Sequence, residues 1–138
     1  MIKPFLIVLL LCQLFVPVHA TAQSQTNADI FDIEQNKIIR HVPLDASVQK
    51  DITFSLTHIT GVYKKFRAIP TRGSMVRVPV SPPLLVQNQW FHGLVDEVIF
   101  IFPPSEDPYV LLFDDENRSC FFTFTGDTKE LRSNWGIQ

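Results

Sequence analysis

The sequence predicts an α+β domain. One N-terminal helix lies on a curved, mainly antiparallel sheet of five to seven strands, and a short helix closes the chain. Three observations carry this expectation. Short runs of β-branched and aromatic residues, bounded by Pro and Gly, recur through residues 62–124. The segments between those runs are short, which favours sequential antiparallel pairing. One stretch alone, residues 46–60, places its apolar side chains on a helical stripe. The same elements also fit a small β-barrel or roll with a helix as plug.

The chain has 138 residues, the size of one domain. Its 46% hydrophobic and 19% charged residues are those of a globular chain. A formal net charge of −2 gives no global field to draw in nucleic acid or an anionic membrane.

Residues 1–20 read as a secretory signal rather than as part of the fold. Lys3 supplies a basic start, an apolar run spans residues 5–18, and Val18-His19-Ala20 offers a small-residue cleavage site, with Ala22 as the other choice. The run is shorter than the ~20 apolar residues of a spanning helix. An uncleaved anchor is the competing reading. Lipid attachment at Cys12 is disfavoured because Leu11 stands where a small residue is needed. Removing the signal takes Cys12 with it and leaves Cys120 alone, so no internal disulfide can form. Secreted eukaryotic domains of this size often carry paired cysteines. The expectation is a bacterial exported protein, secreted or held at the cell envelope.

Residues 21–28 are polar and read as a flexible tether, with the domain proper at residues 29–138. A first hairpin is expected over residues 29–42, turning at residues 34–37 and stopped by Pro43. Asp45 suits the N-cap of the helix. Val48, Ile52, Leu56 and Ile59 form its stripe, and Gly61 can end it. Thr53, Thr57 and Thr60 lower its intrinsic propensity, so packing must support it.

A strand is expected over residues 62–69, closed by Pro70, with a turn at residues 71–74. Residues 75–80 alternate, with Val76, Val78 and Val80 on one face; Pro79 implies an edge or a strand end. Ser81-Pro82-Pro83 reads as a stiff break before the short piece at residues 84–86, and residues 88–93 as irregular. Residues 94–102 form the strongest strand. Residues 98–102 are apolar at every position, which marks a central strand buried on both faces. Pro103 and Pro104 end it. Residues 109–113 and 120–124 pair as a last hairpin. Residues 127–135 form the closing helix, capped by Asp127 or Thr128, with Leu131 and Trp135 four apart.

The acidic run Asp114, Asp115, Glu116, Asn117 invites a calcium-loop reading. Such loops place oxygens at alternate positions around a turn glycine. Here the acids are consecutive, and consecutive residues of an extended chain diverge. Asp and Asn suit a hairpin tip, which is the expectation. Asn117-Arg118-Ser119 is an N-x-S sequon, relevant only in a eukaryotic secretory route.

Asp96 and Glu97 with His92 are the residues from which a hydrolase would be built, although neighbours on a strand face opposite ways. His41, His58 and His92 show no metal-ligand spacing, and no HExxH, GxSxG, P-loop or GxGxxG occurs. Cys120 opens the apolar run CFFTF and reads as a packed, inert thiol. No cofactor and no metal are expected. Trp90 and His92 flank Phe91 beside a polar turn, a pattern that suits a binding platform as well as a core anchor.

Charge is segregated along the chain. Residues 58–79 hold five bases, Lys64, Lys65, Arg67, Arg72 and Arg77, and no acid. Residues 96–116 hold seven acids and no base. Either the two regions neighbour and compensate each other, or the basic one meets an anionic envelope component or an acidic protein. The function expected from these residues is non-catalytic binding at or outside the cell envelope, by a monomer or weak homo-oligomer. A secreted hydrolase, or an assembly protein pairing through a sheet edge, are the alternatives.

Overall fold

The computed structural model describes residues 27–138. The expected signal, its cleavage positions and residues 21–26 of the tether lie outside the described residues. The last two residues expected in the tether belong to the sheet: β1 begins at Asn27, and Ala28 is fully buried.

Seven strands and two helices follow in order: β1 (Asn27–Asp32), β2 (Lys37–Pro43), α1 (Ala46–Thr57), β3 (Ile59–Val62), β4 (Ser74–Gln87), β5 (His92–Phe102), β6 (Tyr109–Phe113), β7 (Ser119–Phe124) and α2 (Lys129–Trp135). The strands form one sheet in the order β2-β1-β4-β5-β6-β7-β3, with every adjacent pair antiparallel. The sheet is not closed, so β2 and β3 are its two edges and the barrel alternative falls. The α+β expectation holds.

Asp45 caps α1 as its position predicts: its Oδ1 accepts the Val48 N–H at 2.8 Å. Val48, Ile52 and Leu56 are buried from that stripe, but Ile59 is not part of it. The helix stops at Thr57, and Ile59 pairs with Phe124 in β3. The His58 Nδ1–H donates to the Phe54 carbonyl at 2.8 Å, satisfying a free helix-end acceptor while the chain turns. Beyond it the β-branched Ile59 and Val62 take a strand instead of a last helical turn.

Two crossings organise the fold. α1 joins β2 to β3, the two opposite edges, and so spans one face of the sheet. Its stripe meets Ile30, Val76, Val78, Val98, Phe100, Val110 and Leu112, with Leu131 and Trp135 of α2, in one core. We call this the front face. The chain then returns from edge strand β3 to β4 through residues 63–73, across the back face.

The strand expected over residues 62–69 therefore does not form. Val62 is its last paired residue before the Tyr63 N–H donates to the Phe121 carbonyl at 2.9 Å. Lys64, Lys65, Phe66 and Arg67 then lie exposed, with no regular structure. Three cations in four positions leave no apolar alternation to bury on a sheet, and solvation of the charges wins over a further strand.

The break expected at Ser81-Pro82-Pro83 is also absent as a break. β4 runs through it, with a cis bond at Ser81–Pro82, and only the register against β5 shifts, between Pro79 and Leu84. Pro79 sits in an interior strand, not an edge. It is tolerated because pairing with β1 ends at Asp29↔Arg77, so at Pro79 the strand has β5 as its remaining neighbour. β5 is the central strand of the sheet, as its unbroken apolar run predicts. Val98, Phe100, Ile101 and Phe102 are buried, to both faces.

Candidate functional site: a basic segment across the back face

The residues singled out in the sequence fall at opposite ends of the strands. Trp90 and His92 stand where β5 begins. The basic segment packs beside the turn where β5 ends, about 33 Å away at the rise of a strand. They do not form one site.

Segment 63–73 is fixed by contacts at both ends and in the middle. The Tyr63 ring stacks on Tyr109, with centroids 3.8 Å apart. Ile101, Tyr109 and Leu111 are buried beneath, with Tyr63, Met75, Ile99 and Phe121 around them. The Tyr109 hydroxyl donates to the Ala68 carbonyl at 2.5 Å. Burial of that ring disfavours the phenolate and pushes the Tyr109 pKa well above the usual tyrosine value, with Tyr63 and Glu106 adding to the effect.

Three of the five bases are engaged with acids. Lys65 meets Glu106 at 2.6 Å, Arg72 meets Glu34 at 2.9 Å, and Arg77 meets Glu97 at 2.8 Å and Asp29 at 3.5 Å. The hydrogen bond between Lys65 and Glu106 raises the lysine pKa and lowers that of the carboxyl. The two stretches meet at two of these pairs, through Glu97 and Glu106; Glu34 and Asp29 lie outside the acidic stretch, and Asp114 and Glu116 pair with Arg118 instead. Lys64 and Arg67 make no ion pair among the described residues. Between them stands Phe66, at 105% relative exposure, and Ile69 follows at 50%.

A strand over residues 62–69 would tuck Phe66 into the sheet, so periodicity alone does not single this residue out. The signal is present in the sequence, as an aromatic inside Lys64-Lys65-Phe66-Arg67. Its meaning depends on the absence of any strand to take it up.

At the other end, Asn88 Oδ1 accepts the N–H groups of Trp90 and Phe91 at 2.8 and 2.9 Å, which shapes the β4–β5 turn. Phe91 is buried against Phe122, edge to face. Trp90 stays 40% exposed. His92 Nε2 lies 2.7 Å from Gln87 Nε2. Trp90 and His92 line an open depression of about 400 Å³ together with Asp114, Asp115, Glu116, Arg118 and Cys120.

The acidic run there is a hairpin tip, as expected. Asp114 Oδ1 accepts the N–H groups of Glu116 and Arg118 at 3.0 and 2.8 Å, and Asn117 takes a positive φ of 58°. The Arg118 guanidinium donates to the other Asp114 oxygen at 2.8 Å. The Arg118 backbone N–H, with that guanidinium, holds the Asp114 carboxyl below the usual carboxylate range. Cys120 packs against the core, and burial raises its thiol pKa, so the reactive thiolate is disfavoured.

The residues of the hydrolase alternative are not brought together. Glu97 is held by Arg77, and Asp96 lies about 13 Å along β5 from His92 at the strand rise. That separation is beyond hydrogen-bond reach or a single bridging water. His41 pairs with Asp29 at 2.6 Å, and His58 stacks on Phe54. Among the described residues no group of three or more His, Cys, Asp or Glu side chains converges as a metal site requires. No helix among them is long and apolar enough to cross a membrane.

Comparison with protein families, with curated proteins and with solved structures finds no match to this chain.

Proposed function

We propose that this chain is an exported, non-catalytic binding domain of bacterial origin that engages an anionic partner at the cell envelope through segment 63–73. The observation that carries the reading is the pair Lys64 and Arg67. Both are exposed cations without an acidic partner among the described residues, on a segment whose other charges are already compensated. Such cations on a fixed support lose little entropy when they meet an anion, and they act through a salt-dependent attraction. The signal-like residues 1–20 support the placement outside the cytoplasm.

Retention on an anionic matrix such as immobilised polyphosphate tests the reading. The chain is expected to be held at low salt, released at high salt, and not held at all when Lys64 and Arg67 are changed together to Glu. Absence of low-salt retention overturns it.

A second reading has its own observation. Among the described residues β2 is an open edge, almost entirely exposed, with Ile38 and Ile39 both exposed. An unpaired edge is a template for a second chain, although Lys37 and Arg40 discourage it. Mass measured by size exclusion over a range of concentrations distinguishes an assembling chain from a monomer.

A further inference from the structure

We propose that the anionic partner of segment 63–73 is a lipid bilayer: Phe66 and Ile69 enter the interface, and Lys64 and Arg67 sit among the lipid phosphates. This rests on the reading of that segment as the binding surface. It goes further by naming what Phe66 is for. A soluble polyanion gives Lys64 and Arg67 partners but offers a phenyl ring nothing. A folded acidic protein needs a pocket shaped for the ring. An anionic bilayer takes both kinds of group without shape matching, apolar side chains below the phosphates and cations level with them.

The geometry fits that use. Phe66 exposes its whole side chain and Ile69 half of its own, while Val62, where the segment leaves β3, is 45% exposed. A large apolar side chain with no packing role, set among charges, is what an interface anchor looks like before it docks. The backbone beneath is already set by the Tyr63–Tyr109 stack, the bond from Tyr109 to Ala68 and the Arg72–Glu34 pair. Docking therefore orders few new groups.

The nearby acids do not oppose it. Glu106 is met by Lys65 and Glu34 by Arg72. Asp107 faces elsewhere, lining a depression with Phe124, Gly126 and Thr128.

The test uses the purified chain with vesicles of phosphatidylcholine, alone or mixed with phosphatidylglycerol. The apolar run of residues 5–18 is shared by all variants, so differences among them report on segment 63–73. Binding is expected to favour the anionic vesicles and to weaken with salt. K64E/R67E is expected to lose at least about thirtyfold in affinity, at about fivefold per base removed. Phe66→Ala is expected to lose about tenfold on vesicles and nothing on polyphosphate, with an unchanged melting curve. In Phe66→Trp, the added fluorescence is expected to be quenched by brominated lipid. Equal vesicle binding by wild type and Phe66→Ala, or by wild type and K64E/R67E, overturns the proposal. So does added fluorescence in Phe66→Trp that brominated lipid leaves unquenched. Salt-sensitive binding to polyphosphate without any to vesicles overturns the lipid assignment and leaves the binding surface standing. Binding to neither overturns both.

Discussion

The two faces of the sheet are closed by different means. The front face is covered by two helices whose buried side chains interlock with the strands. Trp135 alone meets Phe100 and Phe102, with ring centroids 5.5 and 6.0 Å away. Among the described residues the back face is covered only in part, by segment 63–73, which has no repeating backbone hydrogen bonds and rests on one aromatic stack, two tyrosine hydroxyls, two ion pairs and two single backbone hydrogen bonds. Beside it Phe31, Ile38, Met75 and Ile99 line an open apolar groove of about 240 Å³. Apolar burial scales with area and is indifferent to detail, so the front can supply most of the stability. The back is held by few, specific bonds and keeps its charged and apolar groups in water, where a partner can reach them.

That contrast is sharpest at Trp135. Trp135→Ala is expected to cost about 3–5 kcal/mol, read from the urea midpoint. Its Nε1–H is buried without a partner among the described residues, so Trp135→Phe should cost far less than the loss of ring area alone implies. If Trp135→Ala costs no more than the back-face changes below, the front does not dominate.

The next effect falls where the back-face segment joins β4. Gly73 has a φ of 104°, and a Cβ there would strike the Phe102 carbonyl oxygen. Gly73→Ala is expected to cost about 2 kcal/mol or more, since both the conformation and the space exclude a side chain.

Tyr109→Phe removes the bond to Ala68 and is expected to cost about 1 kcal/mol. It also changes the alkaline limb. The folded state holds the Tyr109 proton more tightly than the unfolded one. Its contribution is therefore complete below about pH 10, the unfolded value, and is lost as pH rises toward the higher folded one. Urea midpoints between about pH 8 and pH 11, a range set by that unfolded reference, should fall more for wild type than for Tyr109→Phe.

The hairpin tip at residues 114–118 responds at the opposite end of the scale. The folded Asp114 pKa is depressed, so its contribution is present above about pH 4 and is lost as pH falls through the folded value. Asp114→Asn should lower stability at neutral pH and flatten this acid limb; an unchanged limb refutes the assignment. The smallest expected effect is at the tip of segment 63–73, where Phe66→Ala should leave stability within about 0.5 kcal/mol of wild type, because the ring is wholly exposed.

Much of the front face was legible in the sequence. Asp45, the stripe Val48, Ile52 and Leu56, and the unbroken run of residues 98–102 each depend on local periodicity or capping, and each took its expected place. The acidic tip was legible for the same reason, since Asp114 satisfies backbone groups only a few residues away. The misses share a different cause. Ile59 continues the helical spacing but is drawn into pairing with Phe124, far along the chain. Tyr63, Phe66 and Ile69 suggest a strand, but the cations between them stay in water and no neighbouring strand takes the segment up. Pro82 and Pro83 look like a break, yet β5 carries the strand past them with a register shift.

For the candidate site, the sequence supplied the bases and their segregation from the acids. It could not say which of them were already engaged. Lys65, Arg72 and Arg77 are paired with residues from other strands and turns, and only the folded chain separates them from Lys64 and Arg67. Nor could it show Phe66 exposed, because the exposure of an aromatic is set by what packs over it.

The sequence by itself determined the α+β class, the capped helix, the central strand and the charge blocks, because periodicity, caps and composition act over a few residues. Only the tertiary structure decided that, among the described residues, the two edges stay open and segment 63–73 crosses the back face. It also decided that, among the described residues, two cations and a phenyl ring on that segment have no partner. Those outcomes depend on which distant strands pair, and pairing is chosen by the burial of the whole sheet.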